Sequence, residues 1–131
     1  MKRTTVLIVL IQGALAQIIS TCKDFSFDAV TEVLSAECVP SNMVGYVTTA
    51  LNLNDCFAYT GGQILARTNG NYGQSCEGCH LYIAPDPVYG YPKDTYWMNC
   101  TCRGQSAEVA VSLEDTAGSQ WVTNQNGHLV C

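Results

Sequence analysis

The side chains whose types and spacing could do chemistry are mostly cysteines, eight of them, at positions 22, 38, 56, 76, 79, 100, 102 and 131. Cys76-Glu77-Gly78-Cys79 has the redox C-x-x-C spacing, and with Cys100-Thr101-Cys102 it imitates a zinc site. An even count in a short chain with a leader favours a disulfide framework over both. His80 and His128 are the only histidines, and they lack a partnered spacing such as H-x-x-x-H, so no metal site is expected. Glu114 and Asp115 are adjacent, and neighbours on a strand or turn point apart. A glycosidase needs two carboxyls facing each other across roughly 5–10 Å. No nucleophile motif and no phosphate loop occur. The expectation is a protein that is not an enzyme and carries no cofactor.

What remains is a set of amides and hydroxyls beside turns. Asn126-Gly127 is a strong hairpin signal, because both central positions of a type I′ turn need positive φ. The closing stretch Trp121–Cys131 has an upstream echo from Cys56 to Ala66, through Gly61-Gly62-Gln63-Ile64-Leu65. Leu51-Asn52-Leu53-Asn54-Asp55 likewise echoes Val111-Ser112-Leu113-Glu114-Asp115. Two copies of one unit follow, repeat one over about 17–68 and repeat two over about 69–131.

Met1-Lys2-Arg3, an apolar run from Val6 to Ile11 and the small-residue site Ala14-Leu15-Ala16 read as a signal peptide over 1–16. The run is too short for a membrane span of ~20 residues. A secreted, extracellular domain over 17–131 is expected. The net charge of −5 argues against nucleic acid and anionic membrane as partners.

Eight cysteines allow on the order of a hundred connectivities, and the repeat narrows them. Cys22 and Cys38 flank the first hairpin arm, and Cys76 and Cys102 stand at the equivalent places in the second. Paired positions of an antiparallel hairpin have a nearly constant sum of residue numbers. Cys76 with Cys102 and Cys79 with Cys100 meet that condition, which leaves Cys56 and Cys131 to tie the repeats together.

Gln17–Cys22 reads as a short strand with Tyr72–Cys76 as its counterpart, and Phe25, Phe27 and Val30 read as core. Leu34–Cys38 returns as the second strand, and Pro40-Ser41-Asn42 with Gly45 makes a turn. Val47, Thr49, Leu51 and Leu53 alternate against Thr48, Ala50 and Asn52. Ala107, Val109, Val111 and Leu113 alternate against Glu108, Ala110 and Ser112. Period two marks half-buried antiparallel strands. A helical turn capped by Asn54 is expected over Asn54–Phe57. No stretch sustains a helical period, so the fold is expected to be mainly β.

Arg67–Asn71 joins the repeats as a possible hinge for strand exchange, giving a monomer or a domain-swapped dimer. A Pro-rich loop from Ala84 to Asp94 gathers Tyr82, Tyr89, Tyr91, Tyr96 and Trp97. Asn99-Cys100-Thr101 is a glycosylation sequon inside the cysteine cluster.

Leu34-Ser35-Ala36-Glu37-Cys38, Leu51-Asn52-Leu53-Asn54, Asn69-Gly70-Asn71-Tyr72-Gly73-Gln74-Ser75-Cys76 and Asn124-Gln125-Asn126-Gly127-His128-Leu129 together resemble the cyanovirin-N homologue family, in its secreted fungal branch. The resemblance spans the chain beyond the leader, in both repeats. It implies a cyanovirin-N-like fold of two pseudo-symmetric halves, each mixing strands from both repeats, and a lectin that holds mannose-type glycans without metal. One carbohydrate site would gather Ser20, Thr21, Val39, Ser41, Asn124, Gln125 and Asn126. Amides and hydroxyls each donate and accept, which matches the vicinal hydroxyls of a sugar. The opposite site would gather Ala58, Tyr59, Thr60, Gly61, Asn71, Gln74, Ser75, Arg103 and Gln105. It departs from the family pattern, because Tyr59 and Gly61 stand where the family turn carries Asn and Asp-type residues. Repeat two also inserts about five residues near Thr116–Gln120. A rival reading keeps the fold and assigns the work to protein partners, through the Tyr-rich loop between Ala84 and Trp97.

Overall fold

A computed structural model describes residues 17–116 and 119–131. The expected leader, 1–16, and the centre of the expected insertion, 117 and 118, lie outside the described residues. The elements run α1 (Ile18–Thr21), β1 (Cys22–Asp28), β2 (Val33–Cys38), β3 (Val47–Asn52), β4 (Phe57–Thr60), β5 (Gln63–Ala66), β6 (Cys76–Pro85), β7 (Asp94–Cys102), β8 (Val109–Ser112), β9 (Asp115–Thr116), β10 (Ser119–Gln120), β11 (Thr123–Gln125) and β12 (His128–Val130). Short 3-10 turns precede β4 (Leu53–Asp55) and β6 (Tyr72–Gln74).

The fold is mainly β and repeats itself. Two antiparallel three-stranded sheets, β1-β2-β3 and β6-β7-β8, are each followed by a two-stranded hairpin, β4-β5 and β11-β12. Both sheets open on a cysteine pair, Cys22 opposite Cys38 and Cys76 opposite Cys102. In both, the register slips just afterwards, between Lys23 and Ser26 and between Glu77 and His80. The extra residue of each bulge takes left-handed backbone, Asp24 at φ 54° and Gly78 at φ 62°. The third pair, β9-β10, falls in the expected insertion.

The hairpins change places. β12 packs against β3 and β2 of the first sheet, while β5 packs against β8 of the second. The Leu129 amide donates to Thr49 Oγ1 at 3.0 Å, sealing the first of these contacts. One core runs through both halves, with Ile18, Leu34, Leu53, Phe57, Tyr72, Met98, Leu113 and Val122 fully buried. The disulfides are Cys22–Cys38, Cys56–Cys131, Cys76–Cys102 and Cys79–Cys100. They are the pairings that the repeat and the hairpin register suggest.

Several local expectations are corrected. Gln17–Cys22 is not a strand: Ile18–Thr21 form one helical turn, and Tyr72–Gln74 form its counterpart. A side chain from the other repeat holds each turn. Glu114 Oε1 accepts from the Ile19 amide at 3.1 Å, and Asn54 Oδ1 accepts from the Gly73 amide at 2.8 Å. Asn54 is therefore no cap for its own turn; Asn52 Oδ1 accepts from the Asn54 amide instead. Val30 is not core but 91% exposed, at the tip of the β1–β2 turn, whereas Phe25 and Phe27 do pack on the core. Alternation holds along β3 and fails in repeat two, where Ala107 is exposed and both Ser112 and Glu114 are buried.

The Pro-rich loop is also shorter than expected, 86–93, because β6 runs through Pro85 and β7 begins at Asp94. Its tyrosines divide. Tyr82 stacks on Trp97 across the strand pair and Tyr96 lies against Phe25, while Tyr89 and Tyr91 stay exposed at the tip. Asp86 ties the loop together, with Oδ1 accepting from the Val88 and Tyr89 amides at 2.8 and 3.0 Å and Oδ2 facing Lys93 Nζ at 3.6 Å. The junction between repeats is bound rather than loose: Arg67, Asn69 and Asn71 amides donate to the carbonyls of Cys56, Asp55 and Asn54, each at 2.8 Å. Gly70 leaves no room for a side chain, since a Cβ there would lie 2.4 Å from the Phe57 carbonyl. Asn99 of the sequon lies within β7, accepting from the Tyr82 hydroxyl at 3.1 Å and donating to Glu108 at 3.3 Å.

Candidate functional site

The first end is built where the β11–β12 turn meets the exit of β2. The turn has two residues, Asn126 at φ 52° and Gly127 at φ 88°, with Gln125 paired to His128. Glycine is required at 127, because a Cβ would lie 2.7 Å from Val47 Cγ2. Asn124 braces this turn from within. Its Oδ1 accepts from the Gly127 amide at 2.8 Å, and its Nδ2 donates to the Val39 carbonyl at 3.0 Å. The Val39 amide donates in turn to the Thr21 carbonyl at 2.9 Å, and the Ser41 amide to Asn126 Oδ1 at 2.9 Å. One run of bonds thus links Thr21, Val39, Ser41, Asn124 and Asn126, with Ser20 and Gln125 beside it.

These residues divide into two kinds. Thr21 and Asn124 are buried, and their polar atoms serve the fold; Thr21 Oγ1 donates to the Gln17 carbonyl at 2.6 Å. Ser20, Ser41, Gln125 and Asn126 are exposed. They present amides and hydroxyls of no net charge, able to donate and accept at neighbouring points.

The second end repeats the plan with other side chains. Gly61 and Gly62 form the β4–β5 turn at φ 61° and 81°. The Arg103 amide donates to the Ser75 carbonyl at 2.8 Å, as Val39 does to Thr21. Tyr59 takes the place of Asn124, and its hydroxyl donates to the Arg103 carbonyl at 2.8 Å. Arg103 Nη2 donates to the Gln74 carbonyl and to Ser75 Oγ, both at 3.2 Å, and the Gln105 side chain lies over Gly62. The structure therefore brings Tyr59, Gln74, Ser75, Arg103 and Gln105 together beside the turn. Ala58 is buried, and Thr60 and Gly61 are exposed. Asn71 is exposed at φ 55° and immediately precedes the Tyr72–Gln74 turn. Gly61 supplies no side-chain acceptor where the first end has Asn126.

Among the described residues, no group of three or more His, Cys, Asp and Glu side chains is arranged to hold a metal ion. Two carboxyls matter to the architecture: Glu114, which sequence reasoning weighed only as half of an adjacent acid pair, and Glu32, which it did not single out. Glu114 is 1% exposed and accepts from the Ile19 and Tyr96 amides. Burial raises its pKa against the lowering effect of those bonds. Glu32 is 5% exposed and meets the Tyr72 hydroxyl, and burial raises its pKa as well. No local pattern marks either one as buried.

With this geometry in place, the comparisons fall on one group of proteins. A family model described as the CVNH domain matches residues 19–130. The chain belongs to the CVNH domain family. A designed cyanovirin-N homolog lectin is similar to this CVNH chain at a TM-score of 0.66 and 19% identity, covering 87% of this chain and 97% of that one. The CVNH protein of Gibberella zeae superposes at 0.65 with 19% identity, over 86% and 94% of the two chains. Microvirin, solved in complex with mannobiose, superposes at 0.54 with 21% identity, over 82% and 98%. At these identities the likeness carries the fold alone. No curated protein sequence matches this CVNH chain.

Proposed function

We propose that this CVNH protein is a secreted lectin that binds mannose-type glycans at its first end, without metal. The observation that carries the reading is the exposed set Ser20, Ser41, Gln125 and Asn126, in which the Ser41 amide donates to Asn126 Oδ1 while Asn124, next to Gln125, ties the turn to the Val39 carbonyl. Neutral amides and hydroxyls fixed at neighbouring points match a sugar's vicinal hydroxyls, and their preorganisation lowers the entropic cost of binding. Microvirin's mannobiose complex supports the ligand class by analogy. Binding at a single shallow end is modest, and avidity would need a second competent end.

The test is a glycan array followed by calorimetry with mannobiose, run with calcium and with chelator. Chelator-resistant binding that Gln125→Ala and Asn126→Ala each weaken about tenfold supports the reading. Silence from a folded sample overturns it. One observation favours a second reading: Tyr89 and Tyr91 are 70% and 85% exposed at the tip of the 86–93 loop. Such a tip suits a protein partner, and Tyr91→Ala would then abolish partner capture while leaving sugar binding intact.

A further inference from the structure

We propose that the cleft between the β1–β2 turn and the Asn71–Glu77 segment is a separate sugar subsite. It would receive a pyranose ring presenting a hydrogen-bond donor to the Glu32 carboxyl group. The inference rests on the lectin reading for its ligand class and uses none of the first-end residues, while Asn71 and Gln74 are shared with the set expected at the second end. The cleft has a volume of about 300 Å³ and is lined by Glu32, Asn54, Asn71, Gly73, Gln74 and Glu77, with Ala29 and Val30 at its lip. That lies at the small end of ligand pockets.

Glu32 is the unusual member. Acids are almost never this buried unless paired, and no cation lines the cleft. The side chain meets one group, the Tyr72 hydroxyl, through Oε1. No described residue meets Oε2, yet that oxygen is not sealed from solvent as Asp86 Oδ2 is. Glu32 is itself one of the residues that line the cleft.

Position is enforced from both sides. Glu32 sits in left-handed backbone at φ 63°, a conformation that costs a non-glycine residue on the order of 1 kcal/mol. Asp28 holds it there. Its Oδ1 accepts from the Val30 and Thr31 amides at 2.8 and 3.2 Å, and its carbonyl accepts from the Glu32 amide at 2.7 Å. Across the cleft, Asn54 spends Oδ1 on the Gly73 amide and keeps Nδ2 as a donor. A Cβ at Gly73 would lie 2.7 Å from Asn54 Oδ1, so a larger residue there would have to displace the Asn54 amide. Asn71, Gln74 and Glu77 are exposed and add amides and a second carboxylate.

Carboxylates that accept, amides that donate and the absence of a lining cation suit sugar hydroxyls or a sugar ammonium, and they disfavour uronic and sialic acids. Gln74 also carries the carbonyl that Arg103 binds, so the cleft adjoins the second end without depending on Tyr59 or Gly61.

The experiment is a titration of ¹⁵N-labelled protein with mannobiose and, separately, with the disaccharide of glucosamine. Backbone signals of Val30, Glu32 and Gly73 report on the cleft, Arg103 and Gln105 on the second end, and Gln125 and Asn126 on the first. We expect the cleft signals to shift with at least one probe, and Glu32→Gln to weaken that response about tenfold with the first-end response unchanged. Glu77→Gln, at an exposed position that leaves the core intact, should weaken it several-fold. Tighter binding of the glucosamine probe identifies an ammonium donor, and tighter binding of mannobiose identifies hydroxyls. The proposal is overturned if Val30 and Glu32 stay still while other signals move, or if their shifts survive both substitutions. A silent first end with a responsive cleft instead overturns the first-end reading alone.

Discussion

Asn124 is a brace before it is a ligand. Its amide closes the turn on one side and holds the β2 exit on the other, so Asn124→Ala removes two bonds from a buried position. A loss of about 1–3 kcal/mol is expected by chemical denaturation, so any accompanying loss of sugar binding would not by itself identify a ligand. Gln125→Ala, at an exposed position, should leave stability within about 0.5 kcal/mol. Glu114 invites a pH measurement. Its folded pKa is raised, so its contribution to stability is fully present below the ordinary carboxylate value and is lost as pH rises through the folded pKa. Glu32 has the same sign, whereas Asp28 and Asp86, lowered in the folded state, contribute above their ordinary value and lose that contribution as the solution is acidified. Glu114→Gln should therefore flatten the decline in stability above about pH 4.5, read from melting temperatures across a pH series. An undiminished decline would assign it elsewhere.

At the scale of elements, the two hairpin turns look alike in sequence and differ in tolerance. A Cβ at Gly127 meets the branched Val47 side chain of β3, whereas a Cβ at Gly62 meets the flexible end of Gln105 at 3.0 Å. Both glycines have positive φ, so the contrast isolates packing. Gly127→Ala should cost about 1–3 kcal/mol more than Gly62→Ala in urea denaturation. Equal losses would mean that backbone conformation alone decides. Gly61 adopts φ 61° with nothing within 4 Å of its Cβ position, and Asn tolerates that conformation, as Asn126 does in the equivalent turn. Gly61→Asn should therefore fold with unchanged stability, and calorimetry with mannobiose should show a stronger second binding step.

At the scale of the molecule, each repeat completes the other. Hairpin β11-β12 packs on the first sheet and β4-β5 on the second, while Glu114 and Asn54 cross between repeats to hold the two short turns. Cys56–Cys131 locks this exchange across a separation of 75 residues, against 16 for Cys22–Cys38. Loop-closure entropy predicts a loss of roughly 4 kcal/mol for the Ser pair at 56 and 131 and roughly 3 kcal/mol for the pair at 22 and 38. Guanidinium denaturation of both double variants checks the order, and a reversed order would show that local strand pairing outweighs chain entropy.

Legibility followed the range of the interactions. Strand β3, both glycine turns and the hairpin disulfides were readable because alternation, positive φ and antiparallel register are local and repeat at fixed spacing. By itself the sequence determined a mainly β, twice-repeated, cysteine-stapled chain, and its family resemblance supplied the side chains expected at the two ends. Only the tertiary structure decided which of those side chains are free. It turned Ile18–Thr21 into a helical turn, because a carboxyl nearly a hundred positions away bonds its amides. It committed Asn124 to the fold, left Asn126 exposed at the surface and buried Glu32 against a cleft. Burial and long-range hydrogen bonding arise from contacts between distant segments, and no local pattern of residue types encodes them.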